Sequence, residues 1–205
     1  MNKKKEHWED VYKKKTDNQV SWYQVVPETS LRLINELQLP LDSSIIDIGG
    51  GNSNFTIELQ KRGYNNLSVL DISGLALLRT KDKMGEGAKV VHWMEYDVLD
   101  LVELNRYDVI HDRATFHFLT NEADIKKYVD VVSDAMIGGG HLVISTFSLT
   151  GPEKCSKLQV SQYSSSRLSF LFKENFELTS SFSEVHTSPY NTTQDFIFCV
   201  FTRRK

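Results

Sequence analysis

The sequence predicts an α/β protein with a doubly wound, mostly parallel sheet that ends in an antiparallel C-terminal hairpin. Short apolar runs rich in β-branched residues alternate with amphipathic segments as far as Phe147, as in successive βαβ units. A glycine triplet, residues 49–51, directly follows the first of these runs. Near the C-terminus, strand-like runs at 176–185 and 193–202 are separated by only a turn. So short a connection requires an antiparallel pair.

The composition fits one globular domain. The chain has 205 residues, 40% of them hydrophobic and 25% charged, with a net charge of −3. This balance gives no reason to expect nucleic-acid binding. We expect a single unit, 1–205, made of an N-terminal helix and lid segment (1–28), a cofactor-binding core (29–150) and a substrate rim with the C-terminal hairpin (151–205). We expect it to be a monomer.

Cysteine content and hydropathy bear on location. Cys155 and Cys199 are too few for a disulfide framework or a zinc site, so we expect a cytoplasmic protein without a bound metal. The basic N-terminus has no apolar segment behind it and is not expected to be a secretory signal. The apolar run 196–201 is too short to span a membrane, and no membrane partner is expected.

The N-terminal region is predicted to contain two helices. Residues 3–15 form a charged helix with Trp8 and Tyr12 on one side. A loop that contains Trp22 follows, and Pro27 then opens an amphipathic helix. Because the first helix has little apolar area of its own, it is marginal unless it docks. We expect it to order over a bound ligand as a lid.

The first strand and its turn indicate a nucleotide-type site. The isoleucine-rich run 45–48 is typical of a strand buried on both faces. The glycines 49–51 end it, and Ser53 or Asn54 can cap the following helix. A strand, a glycine turn and a helix start bring backbone N–H groups and a positive dipole end to one point. Glycine there lets a ligand lie against the main chain.

The remaining elements alternate in type. They are predicted as strands at 67–70, 90–94, 107–111 and 141–147, and as helices after Ser73, at 121–136 before the glycine triplet 138–140, and at 163–172.

Asp71 ends the second strand, twenty positions after Gly51. An acidic residue there is placed to accept hydrogen bonds from ribose hydroxyls. The glycine turn with this acid occurs in more than one class of nucleotide-dependent enzyme. The dinucleotide fingerprint also requires a small residue at position 54, where this chain has Asn54, a poor fit for close helix packing.

Three motifs together resemble the class I S-adenosylmethionine-dependent methyltransferases, which have a Rossmann-like fold. They are Asp-Ile-Gly-Gly-Gly-Asn-Ser at 47–53, Leu-Asp-Ile-Ser at 70–73 and Asp-Val at 97–98. The resemblance covers roughly residues 8–147. It implies S-adenosyl-L-methionine as cofactor, S-adenosyl-L-homocysteine as product, and methyl transfer to a nucleophile on a small molecule or a protein side chain.

Further details resemble one branch, which includes lysine methyltransferases of elongation factors and citrate synthase. These are Trp8 with Tyr12, Ser-Trp-Tyr at 21–23, and Asp-Arg-Ala-Thr-Phe-His at 112–117. The last motif departs from that branch in having Ala114 in place of a glycine and His117 in place of the final acid.

The resemblance also implies a set of cofactor-binding residues. The glycines would lie against the methionine part, Asp71 would hold the ribose, and other residues would meet adenine or line the cofactor. The full set is Trp8, Tyr12, Trp22, Asp47, Gly49, Gly50, Gly51, Asn52, Ser53, Asp71, Ile72, Asp97, Val98 and Arg113. Simpler roles stay open: a docking helix for the first two aromatic residues, a turn residue at Asp97, and an exposed ion-pair partner at Arg113.

Asp112 and His117 are the predicted catalytic residues. They follow the fourth strand, at the carboxyl edge where such sheets bind ligands. Asp112 could orient or deprotonate an amine, and His117 could accept a proton near neutral pH. Equally, His117 could satisfy a backbone carbonyl. Gln162 and Tyr163 are further candidates for the substrate rim. Two alternative functions stay open: a catalytically silent S-adenosylmethionine-binding module that acts through a partner, and an NAD-dependent oxidoreductase.

Overall fold

The computed structural model describes residues 3–100 and 106–205. Seven of the strands form one sheet in the order β3-β2-β1-β4-β5-β9-β8, and two short strands form a separate hairpin. The strands are β1 (Ile45–Ile48), β2 (Leu67–Asp71), β3 (Val91–Glu95), β4 (Tyr107–Arg113), β5 (Met136–Phe147), β6 (Lys154–Cys155), β7 (Leu158–Gln159), β8 (Phe176–Thr187) and β9 (Thr193–Arg203). The helices are α1 (Lys3–Lys14), α2 (Glu28–Glu36), α3 (Phe55–Lys61), α4 (Gly74–Met84), α5 (Glu122–Asp134) and α6 (Ser165–Phe172).

Pairing in the sheet locates the site. Strand β1 is central and pairs in parallel with both β2 and β4. The order of the sheet reverses between β1 and β4, so the connections after these two strands run to opposite faces. Ligands of open α/β sheets bind in the crevice that this divergence leaves at the carboxyl ends of the strands. The antiparallel pairs β5–β9 and β9–β8 complete the opposite edge of the sheet.

The two faces of the sheet are each covered by helices. One apolar core packs α5 and α6 against the sheet through Tyr128 and Phe172. The other packs α2 and α3 through Ile34 and Phe55. Within β1, Ile45 belongs to one core and its neighbour Ile46 to the other, because successive side chains of a strand point to opposite faces.

The structure confirms the α/β class, the mostly parallel sheet and the antiparallel C-terminal pair. Two details differ. Helix α5 ends at Asp134, and the glycines 138–140 lie within β5, because that strand begins at Met136 and pairs with Tyr107 across an irregular register. The β6–β7 hairpin was not predicted. Its turn residues, Ser156 and Lys157, both have positive φ without being glycine, so the sequence carries no ordinary turn signal.

The division into lid, core and rim stays a prediction, and residues 1–2 and 101–105 of that unit lie outside the described residues. Within the described ranges, no helix has the combined length and apolar character needed to cross a bilayer.

Candidate active site

A cavity of about 940 Å³, part of it open to solvent, lies over the carboxyl ends of β1, β2 and β4. Helix α1 and the β6–β7 hairpin contribute to its wall. It is lined by Lys4, Trp8, Tyr12, Trp22, Gly49, Leu70, Asp71, Ile72, Tyr96, Asp97, Val98, Arg113, Ala114, Thr115, Phe118, Leu119, Cys155 and Leu158. We call this the first cavity.

A second cavity of about 510 Å³, also partly open to solvent, lies beside the first. The two share Tyr12, Trp22, Gly49 and Arg113. The second cavity is further lined by Tyr23, Gln24, Pro27, Asp47, Gly50, Asn52, Ser53, Asn54, Phe55 and His111. Gly49, the first glycine of the turn after β1, therefore lines both cavities.

The three glycines of this turn make room for side chains of the site. A Cβ on Gly49, Gly50 or Gly51 would come closer than 3.0 Å to the side chain of Thr115, Asp47 or Asp71, respectively. Gly49 also has a φ of +70°, which side-chain-bearing residues rarely adopt. Glycine is required here both for the turn and for the close approach of these polar groups.

Asp71 is anchored by the main chain and faces the first cavity. Its Oδ2 accepts a hydrogen bond from the Gly51 amide at 3.0 Å, and its Oδ1 accepts one from the Ser73 amide at 2.8 Å. Burial raises the pKa of Asp71 to about 6. Since an ionised carboxylate has about four acceptor positions, Asp71 keeps capacity for two further donors.

Asp47 and Arg113 bring opposite charges to the second cavity. Asp47 Oδ1 lies 2.7 Å from His111 Nδ1, whereas Oδ2 has no hydrogen-bond partner among the described residues. Arg113 donates to the Trp22 carbonyl at 2.9 Å and lies over the Phe196 ring at 5.4 Å. Burial lowers the pKa of Arg113 to about 10, which leaves it cationic at neutral pH.

Aromatic rings cover one side of the first cavity. Trp8 meets Trp22 at 5.9 Å and Phe118 at 5.0 Å between ring centroids, both edge to face. Helix α1 is held over the cavity because Arg79 of α4 donates to the carbonyls of Tyr12 and Lys15. In this structure the predicted lid lies across the site. Its ordering on cofactor binding stays a prediction.

Asp97 serves as a turn residue and also lines the first cavity. Its Oδ1 accepts from the Leu99 amide at 3.1 Å, and its Oδ2 lies 3.5 Å from Lys4 Nζ. Asn52, in the second cavity, donates to Asp17 and accepts from Lys83, both at 3.0 Å.

Comparisons with known proteins agree with this geometry. The family described as "Methyltransferase domain" matches residues 46–142. The chain is 30% identical to EEF1A lysine methyltransferase 2 of Danio rerio over 161 residues, which cover 71% of this chain and 69% of that protein. The human protein of the same name is 29% identical over 166 residues, 73% of this chain and 70% of that protein. This chain belongs to the class I S-adenosylmethionine-dependent methyltransferases.

Solved structures support the fold of this methyltransferase. One, reported as "Conversion of a Disulfide Bond into a Thioacetal Group during Echinomycin Biosynthesis", has a TM-score of 0.79 at 18% identity and covers 98% of this chain and 93% of that one. Another is N-methyltransferase NodS of Bradyrhizobium japonicum in complex with S-adenosyl-L-homocysteine. It has a TM-score of 0.69 at 16% identity, and the match covers 96% of this chain and 98% of that one.

S-adenosyl-L-methionine is the cofactor of this enzyme, and the residues at the two cavities fit it chemically. Asp71 has acceptor capacity for ribose hydroxyls, Ile72 and Val98 offer apolar surface, and Asp47 and Arg113 match the two charges of an amino acid. Every predicted cofactor-binding residue except Gly51 lines one or both of these cavities, and the Gly51 amide donates to Asp71. Their individual roles belong to the proposal below.

The two predicted catalytic residues of the methyltransferase lie outside both cavities. Asp112 is fully buried, and its carboxylate accepts hydrogen bonds from the amides of Thr115 and Phe116 and, at 2.6 Å, from the Tyr128 hydroxyl. Burial raises its pKa to about 6. With these three donors around it, Asp112 organises the turn after β4 and lines neither cavity. Its catalytic role stays a prediction.

His117 is also fully buried and does not line either cavity. Its ring stacks on Phe147 at 4.4 Å, and neither ring nitrogen has a hydrogen-bond partner among the described residues. Burial lowers its pKa to about 3, so the ring is neutral at physiological pH. The structure supports neither a proton-accepting His117 at the cavity nor one bonded to a backbone carbonyl.

The two candidates for the substrate rim also lie outside both cavities, and other residues line the cavity wall. Gln162 donates to the Gly151 carbonyl, and Tyr163 is buried against Phe116; neither lines a cavity. Sequence reasoning missed the residues that wall the cavity instead, namely Tyr96, Thr115, Phe118, Leu119, Cys155 and Leu158. It also missed His111, for which a histidine inside an apolar strand was an available signal.

Proposed function

We propose that this enzyme transfers the methyl group of S-adenosylmethionine to a small uncharged molecule. When bound, the cofactor supplies an electrophilic methyl group on a sulfonium sulfur. One observation carries the choice of acceptor. Apart from Lys4, Asp71, Asp97 and Arg113, the first cavity is lined by uncharged side chains, most of them apolar. A pocket of this kind favours an apolar acceptor oriented by few polar groups.

The charged residues of the first cavity are proposed to serve the adenosine part. Asp71 accepts hydrogen bonds from the ribose hydroxyls, Ile72 and Val98 pack against adenine, and Asp97 accepts from its amino group. This division leaves the other wall to the acceptor. That wall consists of Phe118, Leu119, Cys155 and Leu158.

The second cavity is proposed to hold the amino-acid end of the cofactor. Asp47 Oδ2, which has no hydrogen-bond partner in the described part of the chain, suits an ammonium group, and the guanidinium of Arg113 suits a carboxylate. Gly49 and Gly50 place the main chain between these charges. Both cavities are then parts of one cofactor site.

The aromatic rings over the site are proposed to exclude water and to stabilise positive charge. Trp8, Tyr12 and Trp22 line the first cavity together. Ring faces attract cations, by about 0.5–1 kcal/mol at exposed sites and about 2 when desolvated. Positioning of two reactants in such a space contributes about 7–11 kcal/mol at best.

The chemistry of the methyl acceptor depends on which side chains near the first cavity could remove a proton from it. Asp112 is enclosed by its donors, His117 lies outside the cavity, and burial raises the pKa of the Cys155 thiol to about 11. An alkylammonium, with a pKa near 10.4, must lose a proton before it can attack. The acceptor wall therefore favours a nucleophile whose lone pair is already free, such as a thioether or an aromatic nitrogen.

A protein lysine is the second candidate acceptor, favoured by the relatives. The curated proteins at 29–30% identity are named as lysine methyltransferases of EEF1A. For this chain, lysine methylation would require a proton acceptor at the mouth of the cavity.

The two acceptors are distinguished by measuring release of S-adenosylhomocysteine. Wild-type enzyme is assayed with thioethers, aromatic nitrogen heterocycles and thiols, in parallel with lysine peptides and folded elongation factor 1A. We expect turnover with small molecules only. Turnover with elongation factor 1A and none with the small molecules would assign the lysine instead.

A pair of hairpin variants tests where the acceptor lies. Leu158 lines the first cavity, whereas Gln159 beside it is exposed. Leu158→Glu should reduce turnover at least tenfold without a change in S-adenosylhomocysteine affinity, and Gln159→Glu should change neither. Full turnover in Leu158→Glu would place the acceptor elsewhere.

A further inference from the structure

A continuous chain of buried polar groups leads from helix α2 to the second cavity. Ser30 Oγ lies 2.9 Å from His111 Nε2, and His111 Nδ1 lies 2.7 Å from Asp47 Oδ1. Ser30, His111 and Asp47 are only 1%, 2% and 3% exposed. They belong to α2, β4 and β1, so the chain joins three separate elements at one point of the core.

The His111 ring is fixed from a fourth element. It stacks on Phe55 at the start of α3, with ring centroids 4.0 Å apart and planes inclined by 26°. With one face against Phe55 and both nitrogens engaged, the imidazole cannot rotate without losing a contact. Its orientation is therefore set by the fold, before any cofactor binds.

Both ring nitrogens of His111 are within hydrogen-bond distance of a polar partner. The Nδ1–H donates to the Asp47 carboxylate, and Nε2 shares a hydrogen bond with the Ser30 hydroxyl. This arrangement uses Oδ1 of Asp47 and fixes the plane of the carboxylate. Oδ2 is left beside Gly50, buried and without a partner among the described residues, and Asp47 is one of the residues that line the second cavity.

An unpaired anionic oxygen in a buried position is unfavourable and is normally compensated by a donor or a cation. Arg113 lines the same cavity, but no ion pair within 4.0 Å joins it to Asp47 among the described residues. A bound ammonium group would supply both the positive charge and the hydrogen-bond donors.

We propose that His111 is a positioning residue for cofactor binding. With Ser30 behind it, His111 holds Asp47 so that Oδ2 receives the ammonium group at the amino-acid end of S-adenosylmethionine. The inference rests on the proposed placement of that end in the second cavity. It extends the cofactor site to two side chains that do not follow from the glycine motif.

Two adenosine ligands separate this role from a merely structural one. S-adenosylhomocysteine has the amino-acid end, and 5′-methylthioadenosine lacks it. By calorimetry, His111→Phe should weaken S-adenosylhomocysteine binding at least tenfold and leave 5′-methylthioadenosine within twofold of wild type. Ser30→Ala should show the same selectivity with a loss of a few-fold. His111→Asn, whose amide can replace the Nδ1 donor, should restore most of the affinity.

The controls keep the outcomes distinct. His92→Phe, at an exposed histidine, should bind both ligands as wild type does. If His111→Phe and Ser30→Ala lose the same affinity for both ligands, or lose none for either, the positioning role is overturned. If wild type itself binds the two ligands equally, the placement of the amino-acid end fails instead. If His111→Phe does not fold, Ser30→Ala decides the question by the same ratio.

Discussion

Asp71 and Asp112 are nearly equivalent as local structures and opposite in use. Each lies at or near the carboxyl end of a parallel strand, β2 or β4, and each accepts hydrogen bonds from two backbone amides. These are Gly51 and Ser73 for Asp71, and Thr115 and Phe116 for Asp112. Burial raises the pKa of both to about 6. Only Asp71 lines the first cavity. Asp112 has the Tyr128 hydroxyl, 2.6 Å away, on its remaining side.

The two carboxylates differ in one hydrogen-bond donor, which a helix supplies to Asp112. Tyr128 lies on α5, sixteen positions along the chain from Asp112. It closes the carboxylate off and turns a strand-end acid into an anchor for the turn that carries Thr115. A strand-end acid can act on a ligand only when its acceptor positions face a cavity. We therefore expect changes at Asp112 to affect folding and changes at Asp71 to affect binding.

The largest expected effect is the loss of stability in Asp112→Ala. It leaves the part-buried Thr115 amide, the buried Phe116 amide and the buried Tyr128 hydroxyl without their acceptor, each at about 1–3 kcal/mol when fully buried. Unfolding in urea should show a loss of about 3–5 kcal/mol, whereas S-adenosylhomocysteine affinity of the folded fraction should stay within threefold. Tyr128→Phe, which removes one of the three donors, should cost less.

A milder substitution provides the opposing test. Asp112→Asn keeps the shape of the side chain and two of its acceptor positions. If Asp112→Asn retains wild-type stability and cofactor affinity but loses turnover a hundredfold, Asp112 acts on the substrate, and the contrast with Asp71 is wrong.

The next largest effect is on cofactor binding in Asp71→Asn. Hydrogen bonds to a charged group contribute about 1.5–3 kcal/mol, so S-adenosylhomocysteine affinity should fall roughly tenfold to a hundredfold. Stability should fall less than in Asp112→Ala, because the asparagine can still accept from one of the two amides. Calorimetry and urea unfolding on the same preparations measure both quantities. Unchanged affinity would remove Asp71 from the site.

Acidification should then affect binding through Asp71. Its pKa is about 6 in the free protein. The ionised form is the one that we propose to accept hydrogen bonds from the ribose hydroxyls. Affinity should be full above pH 6 and fall as the pH drops through 6, by at most about tenfold per pH unit. Asp71→Asn should flatten the profile of S-adenosylhomocysteine affinity between pH 7 and pH 5. An equally steep profile in that variant would assign the titration to another group.

The part of this enzyme that was predictable from sequence is the part fixed by local chemistry. The glycine turn and Asp71 follow β1 and end β2, which are neighbouring strands. Ser53 accepts from the Phe55 amide at the start of α3, and Ser73 caps α4, both as predicted from the local sequence. That Asp112 and His117 line neither cavity was not predictable, because their surroundings come from distant segments. Tyr128 covers the first, and Phe147 covers the second. The part of the acceptor wall on the β6–β7 hairpin was not predicted. The turn of this hairpin consists of Ser156 and Lys157, which have positive φ without being residue types that favour it.

The smallest expected effect is at Lys4, which lines the first cavity beside Asp97. Its Nζ lies 3.5 Å from Asp97 and 3.7 Å from Asp124, with half of the side chain exposed. Ion pairs this exposed contribute about 0–1 kcal/mol and are screened by salt. Lys4→Met should weaken S-adenosylhomocysteine binding at most about threefold in low salt, and the difference should vanish at high salt. Lys14→Met is the matched control, because Lys14 lies on the same helix and pairs with Asp10 outside the cavity. A tenfold loss that persists at high salt would give α1 a direct part in holding the cofactor, comparable with that of Asp71.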